Sequence, residues 1–321
     1  MSSNKRQKIT VIIPTYNVED LIEEALRSVQ WADEILVVDS FSTDKTVAIA
    51  KRWGARVLRH EYIYSAKQKN WAIPQAENDW ILLLDSDEVV TPELKQTIKN
   101  LLNNPDELEK YDGFGIARKH FFFGKFLRWG GRYPLYNIRL FRKTCRYEDR
   151  DVHAHIILPK ERIKNIKGDI LHYSDRTLEQ FFEKFNRYST YQANYMLKMH
   201  QRGIKKINWK EILNPFYIKA YLKDIWQFLP FTPTLRFLYM YVFRWGFLDG
   251  RYGFMIALLY AFQDYVSRTK YLELTGRKPT LRLLFQKKMM IQINRIKSLP
   301  GETTGSKHYK QDLSVVDSII N

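Results

Sequence analysis

Three short runs of the chain are apolar without interruption: Val11-Ile12-Ile13, Ile35-Leu36-Val37-Val38 and Ile81-Leu82-Leu83-Leu84. A strand with one wet face alternates apolar and polar side chains, so unbroken runs predict parallel strands covered on both faces. Between them lie helix-length segments, roughly Glu19–Gln30, Thr43–Trp53 and Ser65–Gln75. Asn17 and Ser42 stand where helix N-caps belong, and Thr91-Pro92-Glu93 opens a further helix with proline in its first turn. Strand and helix in alternation predict an α/β sheet. From Asp112 to about Ser174 the pattern turns to shorter strands and glycine-bearing loops. After Thr177 it is helical almost to Leu299, with Gly203, Pro215, Pro230, Pro233 and Gly276 as breaks. These shifts predict an α/β domain over 1–175, with halves at about 8–110 and 111–175. A helical, amphipathic extension follows over 176–299, and then a polar tail, 300–321, expected to be mobile.

Composition narrows the class. With 321 residues, 45% of them hydrophobic, the chain is long enough and apolar enough for a folded domain with an extension. Its formal net charge of +17 implies an anionic partner, whether nucleic acid, acidic lipid or a phosphorylated small molecule. Cys145 is the one cysteine and makes no internal disulfide, so the chain is expected to be intracellular. The start, Met1 to Lys8, leads into a strand without an apolar signal segment. The longest uncharged run, Tyr252 to Gln263, is far short of the ~20 apolar residues a spanning helix needs.

Each apolar run ends in polar residues: Pro14-Thr15-Tyr16-Asn17, Asp39-Ser40 and Asp85-Ser86-Asp87-Glu88. Open α/β sheets bind ligands at the carboxyl ends of their strands, so three such clusters predict one site built from distant segments. One cluster alone would be a turn or a cap. In the third, three acids within four residues repel one another unless a cation sits among them. Carboxylate oxygens suit a hard cation, Mg²⁺ or Mn²⁺, which keeps phosphate oxygens in its shell.

These segments, in this order and spacing, resemble family 2 glycosyltransferases of the GT-A fold. The relevant stretches are Pro14 to Asn17, Val38 to Asp44, Lys67-Gln68-Lys69-Asn70-Trp71-Ala72, and Leu84 to Glu88. Arg139-Leu140-Phe141-Arg142, His172-Tyr173-Ser174, Asn186-Arg187-Tyr188-Ser189 and Phe247-Leu248-Asp249-Gly250 are similar to the branch that includes lipopolysaccharide-core β-glucosyltransferases and exopolysaccharide enzymes. The family likeness spans about Ile9 to Asn103, and the branch likeness reaches about Tyr271. The resemblance implies inverting transfer from a nucleotide-diphosphate sugar, a UDP-sugar first among them, to a glycan or lipid-linked hydroxyl. It implies that Pro14, Thr15, Tyr16, Asn17 and Asp39 contact base and ribose, with Lys67 near the donor phosphates and Asp85 and Ser86 near the ribose. Asp87 would hold the metal, with Asp85 beside it. Phe41 and Lys45 depart from the family, which commonly has glycine there, and Ser86 replaces a frequent alanine.

An inverting transfer needs a carboxylate to take the acceptor's proton. The family places its base in an acid-rich segment after the acceptor loop, here Tyr147 to His153, and Asp149 and Asp151 share one face of it if extended. Relatives often carry an acid where this chain has Ala154, which leaves the choice between Asp149 and Asp151 open, with Asp151 preferred. Of two histidines, His172 is preferred to His153 as third metal ligand, because several relatives place one there. Trp129-Gly130-Gly131-Arg132-Tyr133-Pro134 is read as a mobile loop beside the acceptor or as an ordinary turn. A sugar nucleotidyltransferase would show a glycine-rich loop after the first strand, and this chain has none. Zinc-finger spacing, an aromatic RNA-binding motif and an arginine-rich arm are absent from the sequence, so no nucleic-acid partner is expected.

The charge is assigned instead to an anionic membrane surface. Phe228 to Phe262 is rich in aromatics yet interrupted by Arg236, Arg244, Asp249 and Arg251, which suits helices lying in the interface. Asp249-Gly250 would turn the chain between two of them. Arg277 to Lys297 adds basic residues beside an apolar stripe, Leu281, Leu284, Phe285, Met289, Ile293 and Ile296. The expected location is the cytoplasm, peripheral to the inner face of the cell membrane.

Overall fold

The computed structural model describes residues 6–149, 154–175, 177–202, 226, 229 and 231–276. The strands are β1 (Ile9–Thr15), β2 (Glu34–Asp39), β3 (Arg56–Arg59), β4 (Trp80–Leu83), β5 (Glu88–Val90), β6 (Gly113–Phe122), β7 (Lys125–Phe126), β8 (Tyr136–Arg142) and β9 (Ile163–Asp175). They form one mixed sheet in the order β3-β2-β1-β4-β8-β6-β9-β5, with β7 paired to β6. The half carrying β3, β2, β1 and β4 is parallel throughout, and β8 joins it antiparallel to β4. The helices are α1 (Ile22–Ser28), α2 (Thr46–Arg52), α3 (Ser65–Ala72), α4 (Pro92–Leu102), α5 (Pro105–Glu109), α6 (Leu178–Arg202), α7 (Thr232–Leu238) and α8 (Gly250–Thr275). The expected α/β class with a mainly helical C-terminal region is what the chain adopts. One compact unit runs from Met1 to Lys270, and a second begins at Tyr271.

The unbroken apolar runs are explained by two cores. Successive side chains of a strand point to opposite faces. Val11, Ile13, Val37, Leu82 and Leu84 enter the core packed with Ile22, Leu26, Leu94 and Ile98. Ile12, Leu36, Val38, Ile81 and Leu83 enter the other, with Ala66, Ala72, Ile73, Phe141 and Cys145. Each fully buried aliphatic side chain of this kind contributes ~1.5–3 kcal/mol, so neither face tolerates a polar residue cheaply. Cys145 sits in the second core, where burial pushes its thiol pKa up.

Two expected caps go elsewhere. Helix α1 starts at Ile22 without a side-chain cap, and α2 likewise starts at Thr46. Asn17 and Ser42 instead bond across to each other's loops. Thr91 does cap α4, accepting from Leu94 N at 3.3 Å, with Pro92 in the first turn. Pro233 lies in the first turn of α7. Gly203, Pro215, Pro230 and the basic stretch from Arg277 onward lie outside the described residues.

At the amino-terminal edge of the sheet, Glu34 gathers donors from three segments. It accepts from Thr10 Oγ1 at 2.6 Å, Glu77 N at 2.7 Å, and Arg56 Nε at 2.9 Å and NH2 at 2.5 Å. Burial would raise its pKa, but these hydrogen bonds and the Arg56 charge outweigh it and hold the carboxyl below its ordinary value. A lowered folded-state pKa gives stability that is fully present above the unfolded value and lost as pH falls through the folded one. Glu34→Gln is therefore expected to cost roughly 2–3 kcal/mol at neutral pH, the range for hydrogen bonds to a charged group. Urea titrations should show that gap constant above the ordinary glutamate pKa and narrowing below it. A pH-independent gap would mean that lost packing, and not the charge, causes the effect.

Candidate active site

The carboxyl ends of β1, β2 and β4 meet at one edge, and the first two are locked together. Asp39 is fully buried, accepts from Ser42 N at 3.0 Å and lies 3.5 Å from Thr15 Oγ1, while Ser40 N donates to Thr15 O at 2.9 Å. Asn17 N donates to Ser42 Oγ and Thr43 N to Asn17 Oδ1, both at 2.9 Å. Further along, Glu19 N bonds Asp44 and Lys45 N bonds Glu19. The exchange requires unusual backbone: Asn17 has φ 48° and Phe41 φ 61°. Phe41 thus adopts the left-handed conformation that the glycine of its relatives would take freely. Its ring and that of Tyr16 stand exposed at this edge, and Pro14 is partly covered.

Helix α3 carries the next layer. Gln68 is buried and donates to Ser40 Oγ at 2.6 Å, and Asn70 brackets the backbone of Tyr147 with bonds of 2.9 and 2.8 Å. Lys69 Nζ lies 3.4 Å from Asp85 Oδ1 and 5.5 Å from the Tyr147 ring centre. Lys67 is exposed, with its Nζ 5.1 Å from the Tyr64 ring centre. Two residues along a helix are turned by about 200°, so only one of these lysines can face the strand end. Lys69 is the one that meets the acidic cluster.

That cluster supplies its own cations. Arg139, nearly buried on β8, donates through NH2 to Asp85 Oδ2 at 2.8 Å and to Glu88 Oε1 at 2.7 Å. Arg118 NH1 reaches Glu88 Oε1 at 3.2 Å, and Glu88 Oε2 accepts from Asp85 N at 2.9 Å. Burial would raise the Asp85 pKa, but Arg139 and Lys69 outweigh it and hold the carboxyl well below the usual range. Burial likewise works against the Arg139 charge, and Asp85 and Glu88 more than restore it. The repulsion among three acids is thus relieved for two of them by arginine and lysine. Asp87 differs: His172 Nε2 lies 3.3 Å from its Oδ2, and its main-chain oxygen accepts from Tyr173 N at 3.0 Å. Burial would raise its pKa, but the His172 hydrogen bond outweighs it and brings it below the ordinary value. Ser86 between them is partly covered.

Among the described residues no three His, Cys, Asp or Glu side chains gather in a metal-ligating group. A cation that takes most of its shell from substrate phosphates needs only one or two carboxylates. An ionised carboxylate at Asp87 fits Mg²⁺ or Mn²⁺ on those terms.

Arg118, His120, Lys69 and Glu88 are site residues that the motifs did not assign. The signal was present on β6, Gly113 to Phe122, where Arg118 and His120 break an otherwise apolar strand on one face. Arg118 Nε donates to His120 Nε2 at 3.2 Å, and burial, helped by nearby arginines, drives the His120 pKa down. The alternate residue, Lys119, pairs with Asp169 at 2.7 Å.

On the acceptor side, Tyr147 bridges to Ile156, and Glu148 N donates to His155 O at 2.9 Å. Asp149 is exposed and accepts from the Tyr64 hydroxyl. Asp151 and His153 lie outside the described residues. The loop from Trp129 to Pro134 is pinned by the helical region. Asp249 accepts from Arg128 N at 3.3 Å and Trp129 N at 2.8 Å, Gly130 N donates to Arg244 O at 2.8 Å, and the Arg132 guanidinium lies 4.9 Å from the Tyr260 ring centre. Gly130 and Gly131 have φ 65° and 76°, and Gly130 carries the bond to Arg244 O. Asp249-Gly250 turns the chain into α8 as expected.

Comparisons with known proteins identify the family of the chain. The family model for "Glycosyl transferase family 2" matches residues 10–158. An uncharacterized glycosyltransferase of Rickettsia typhi is 30% identical over 285 residues, 84% of this chain and 88% of the relative. A lipopolysaccharide core biosynthesis glycosyltransferase of Rhizobium meliloti, LpsC, is 27% identical over 80% of this chain and 92% of that protein. A Staphylococcus aureus TarS fragment, 1–349, solved with UDP-GlcNAc, aligns over 80% of this chain and 91% of its own at 19% identity and a TM-score of 0.40. The chain belongs to glycosyltransferase family 2.

Proposed function

We propose that this glycosyltransferase inverts the sugar it moves, uses Mg²⁺ or Mn²⁺, and takes a UDP-sugar as donor and a glycan or lipid-linked hydroxyl of cell-surface polysaccharide or lipopolysaccharide as acceptor. The observation that carries the proposal is the ionised Asp87 carboxylate at the sheet's carboxyl edge, beside Asp85 and Glu88 whose charges Arg139 and Lys69 already offset. Asp87 would hold the cation together with donor phosphates, and the cation would offset charge on the departing diphosphate. The buried Asp39, with Thr15 beside it, would take the ribose and base, and Tyr16 and Phe41 offer exposed rings for stacking. Lys69 and Arg139 keep Asp85 ionised and oriented as the leaving group departs. Asp149 or Asp151 would take the acceptor's proton; the hydroxyl of Tyr64 orients the first of these.

We also place the acceptor at a membrane face, with the protein peripheral to the inner side of the cell membrane. No helix among the described residues is long and apolar enough to cross a membrane. Around α7 and α8, however, Phe231, Phe243 and Trp245 are 64%, 71% and 57% exposed, a cost in water that an interfacial position removes. The LpsC likeness supports a lipopolysaccharide acceptor.

Asp87→Asn preserves size and removes charge. Loss of several kcal/mol of transition-state stabilisation corresponds to a fall of ~10²–10³-fold in nucleoside diphosphate release from a nucleotide-sugar panel with Mn²⁺. Wild-type rates in chelator, or in this variant, would remove the metal from the mechanism. For the base, Asp149→Asn and Asp151→Asn are compared at saturating donor. The base's variant should lose kcat with little change in donor binding, and normal transfer by both would put the base elsewhere.

Sedimentation with vesicles tests the surface. The full chain should pellet with anionic vesicles at low salt and less at high salt, and Phe243→Ser with Trp245→Ser should weaken both. Equal recovery in the supernatant with neutral and anionic vesicles would leave these rings without a membrane role.

A further inference from the structure

Two histidines with no role in either core face each other near the carboxyl ends of β6 and β9. His120 Nδ1 and His172 Nδ1 are 2.9 Å apart, a hydrogen-bond distance that accommodates one proton. The chain of contacts decides whose proton it is. Arg118 has donors only. Its NH1 is fixed on Glu88 at 3.2 Å, and its Nε–H points to His120 Nε2 at 3.2 Å, so that nitrogen accepts. A neutral imidazole with Nε2 unprotonated carries its hydrogen on Nδ1. His120 Nδ1–H therefore donates to His172 Nδ1, which leaves the His172 hydrogen on Nε2, 3.3 Å from Asp87 Oδ2. Protonation of both His172 nitrogens would set two N–H groups against each other at 2.9 Å.

We propose that His172 is a positioning residue that donates Nε2–H to the Asp87 carboxylate, its tautomer fixed by His120 and Arg118, and that it is not the third ligand of the cation. A ligand nitrogen must present a lone pair, and the lone pair of His172 Nε2 is absent while Nδ1 accepts from His120. The whole line, Glu88 to Arg118 to His120 to His172 to Asp87, aims one carboxylate. Groups that hold a metal-binding carboxylate from behind typically tune metal affinity about 10–100-fold. The inference rests on reading Asp87 as the cation's carboxylate, and the two claims separate experimentally.

The full chain labelled with ¹⁵N-histidine reports the tautomer through two-bond nitrogen–proton correlations, His172 being identified by its loss in His172→Gln. Nε2 should be protonated and Nδ1 bare in the metal-free protein, and both should stay so with Mg²⁺ and UDP. A proton on Nδ1, or departure of the Nε2 proton when Mg²⁺ and UDP are added, overturns the proposal. His120→Leu should spread the proton over both His172 nitrogens, and His120→Asn, which keeps a donor, should restore the wild-type pattern. A His172 spectrum unmoved by either variant overturns the role of His120. Mn²⁺ titration with UDP, followed by electron paramagnetic resonance, supplies the affinity. His172→Gln, whose amide N–H can stand in for Nε2–H, should bind like wild type, and His172→Leu about tenfold more weakly. Equal loss in both variants makes His172 a ligand. Absence of Mn²⁺ binding in the wild type would refute the metal reading of Asp87, while the metal-free spectrum still decides the donor role of His172.

Discussion

The contact on which the site depends is the Arg139 guanidinium between Asp85 and Glu88. It is nearly inaccessible to solvent, and so is Glu88, so each would be expensive to bury alone. Together, and with Lys69 and Arg118 on the flanks, they form a neutralised platform at the end of β4. The platform is also topological. Asp85 follows β4, Glu88 opens β5, Arg139 comes from β8 and Arg118 from β6, so one ion network ties four strands around the point where the sheet changes from parallel to antiparallel. Removing one partner would leave an uncompensated charge inside the sheet, so the network both holds the edge and fixes the orientation of Asp85 and Glu88.

The parts legible in sequence were those decided by periodicity. Unbroken apolar runs gave β1, β2 and β4, because nothing except two-sided burial rewards that pattern, and their polar ends marked the edge where Thr15, Asp39 and Asp85 now stand. Side-chain partners across elements were not legible. Lys67 and Lys69 are equivalent by composition, and only the helical phase of α3 relative to β4 selects the second. Asn17 and Ser42 have the chemistry of N-caps and spend it on one another's loops, since the two loops lie closer than the helices that follow. Phe41, where the resemblance expects glycine, adopts the left-handed conformation open to glycine, with its ring exposed. The expectation that three acids require a metal among them overlooked that strands distant in sequence deliver arginines to the same place.

The helical region is more than a covering layer. Phe181 and Phe185 of α6 and Ile256 of α8 pack with Phe122 and Leu127, giving the far end of β6 a core of its own. From the same region Asp249 and Arg244 O hold the backbone of the loop from Arg128 to Gly130. The residues that carry exposed rings, Phe243, Trp245 and Phe247, lie within a few positions of both anchors. Those rings and the loop are therefore joined through a turn of only a few residues.

Charge gives the same separation of tasks. The chain's excess of +17 is not simply a solvated coat, because some of its cations are committed to acids inside the sheet: Arg139 and Arg118 to Glu88, Arg139 and Lys69 to Asp85, Arg56 to Glu34. Those pairs are nearly neutral at a distance and contribute little to attraction of an anionic partner. At the edge itself, Asp87 meets a histidine where its neighbours meet arginine and lysine. A carboxylate held by a full guanidinium charge would bind a divalent cation poorly, since the arginine has already taken its field. The imidazole at 3.3 Å holds Asp87 without the full guanidinium charge that Asp85 meets, and on the proposed reading that leaves its charge available to a diphosphate-bound cation.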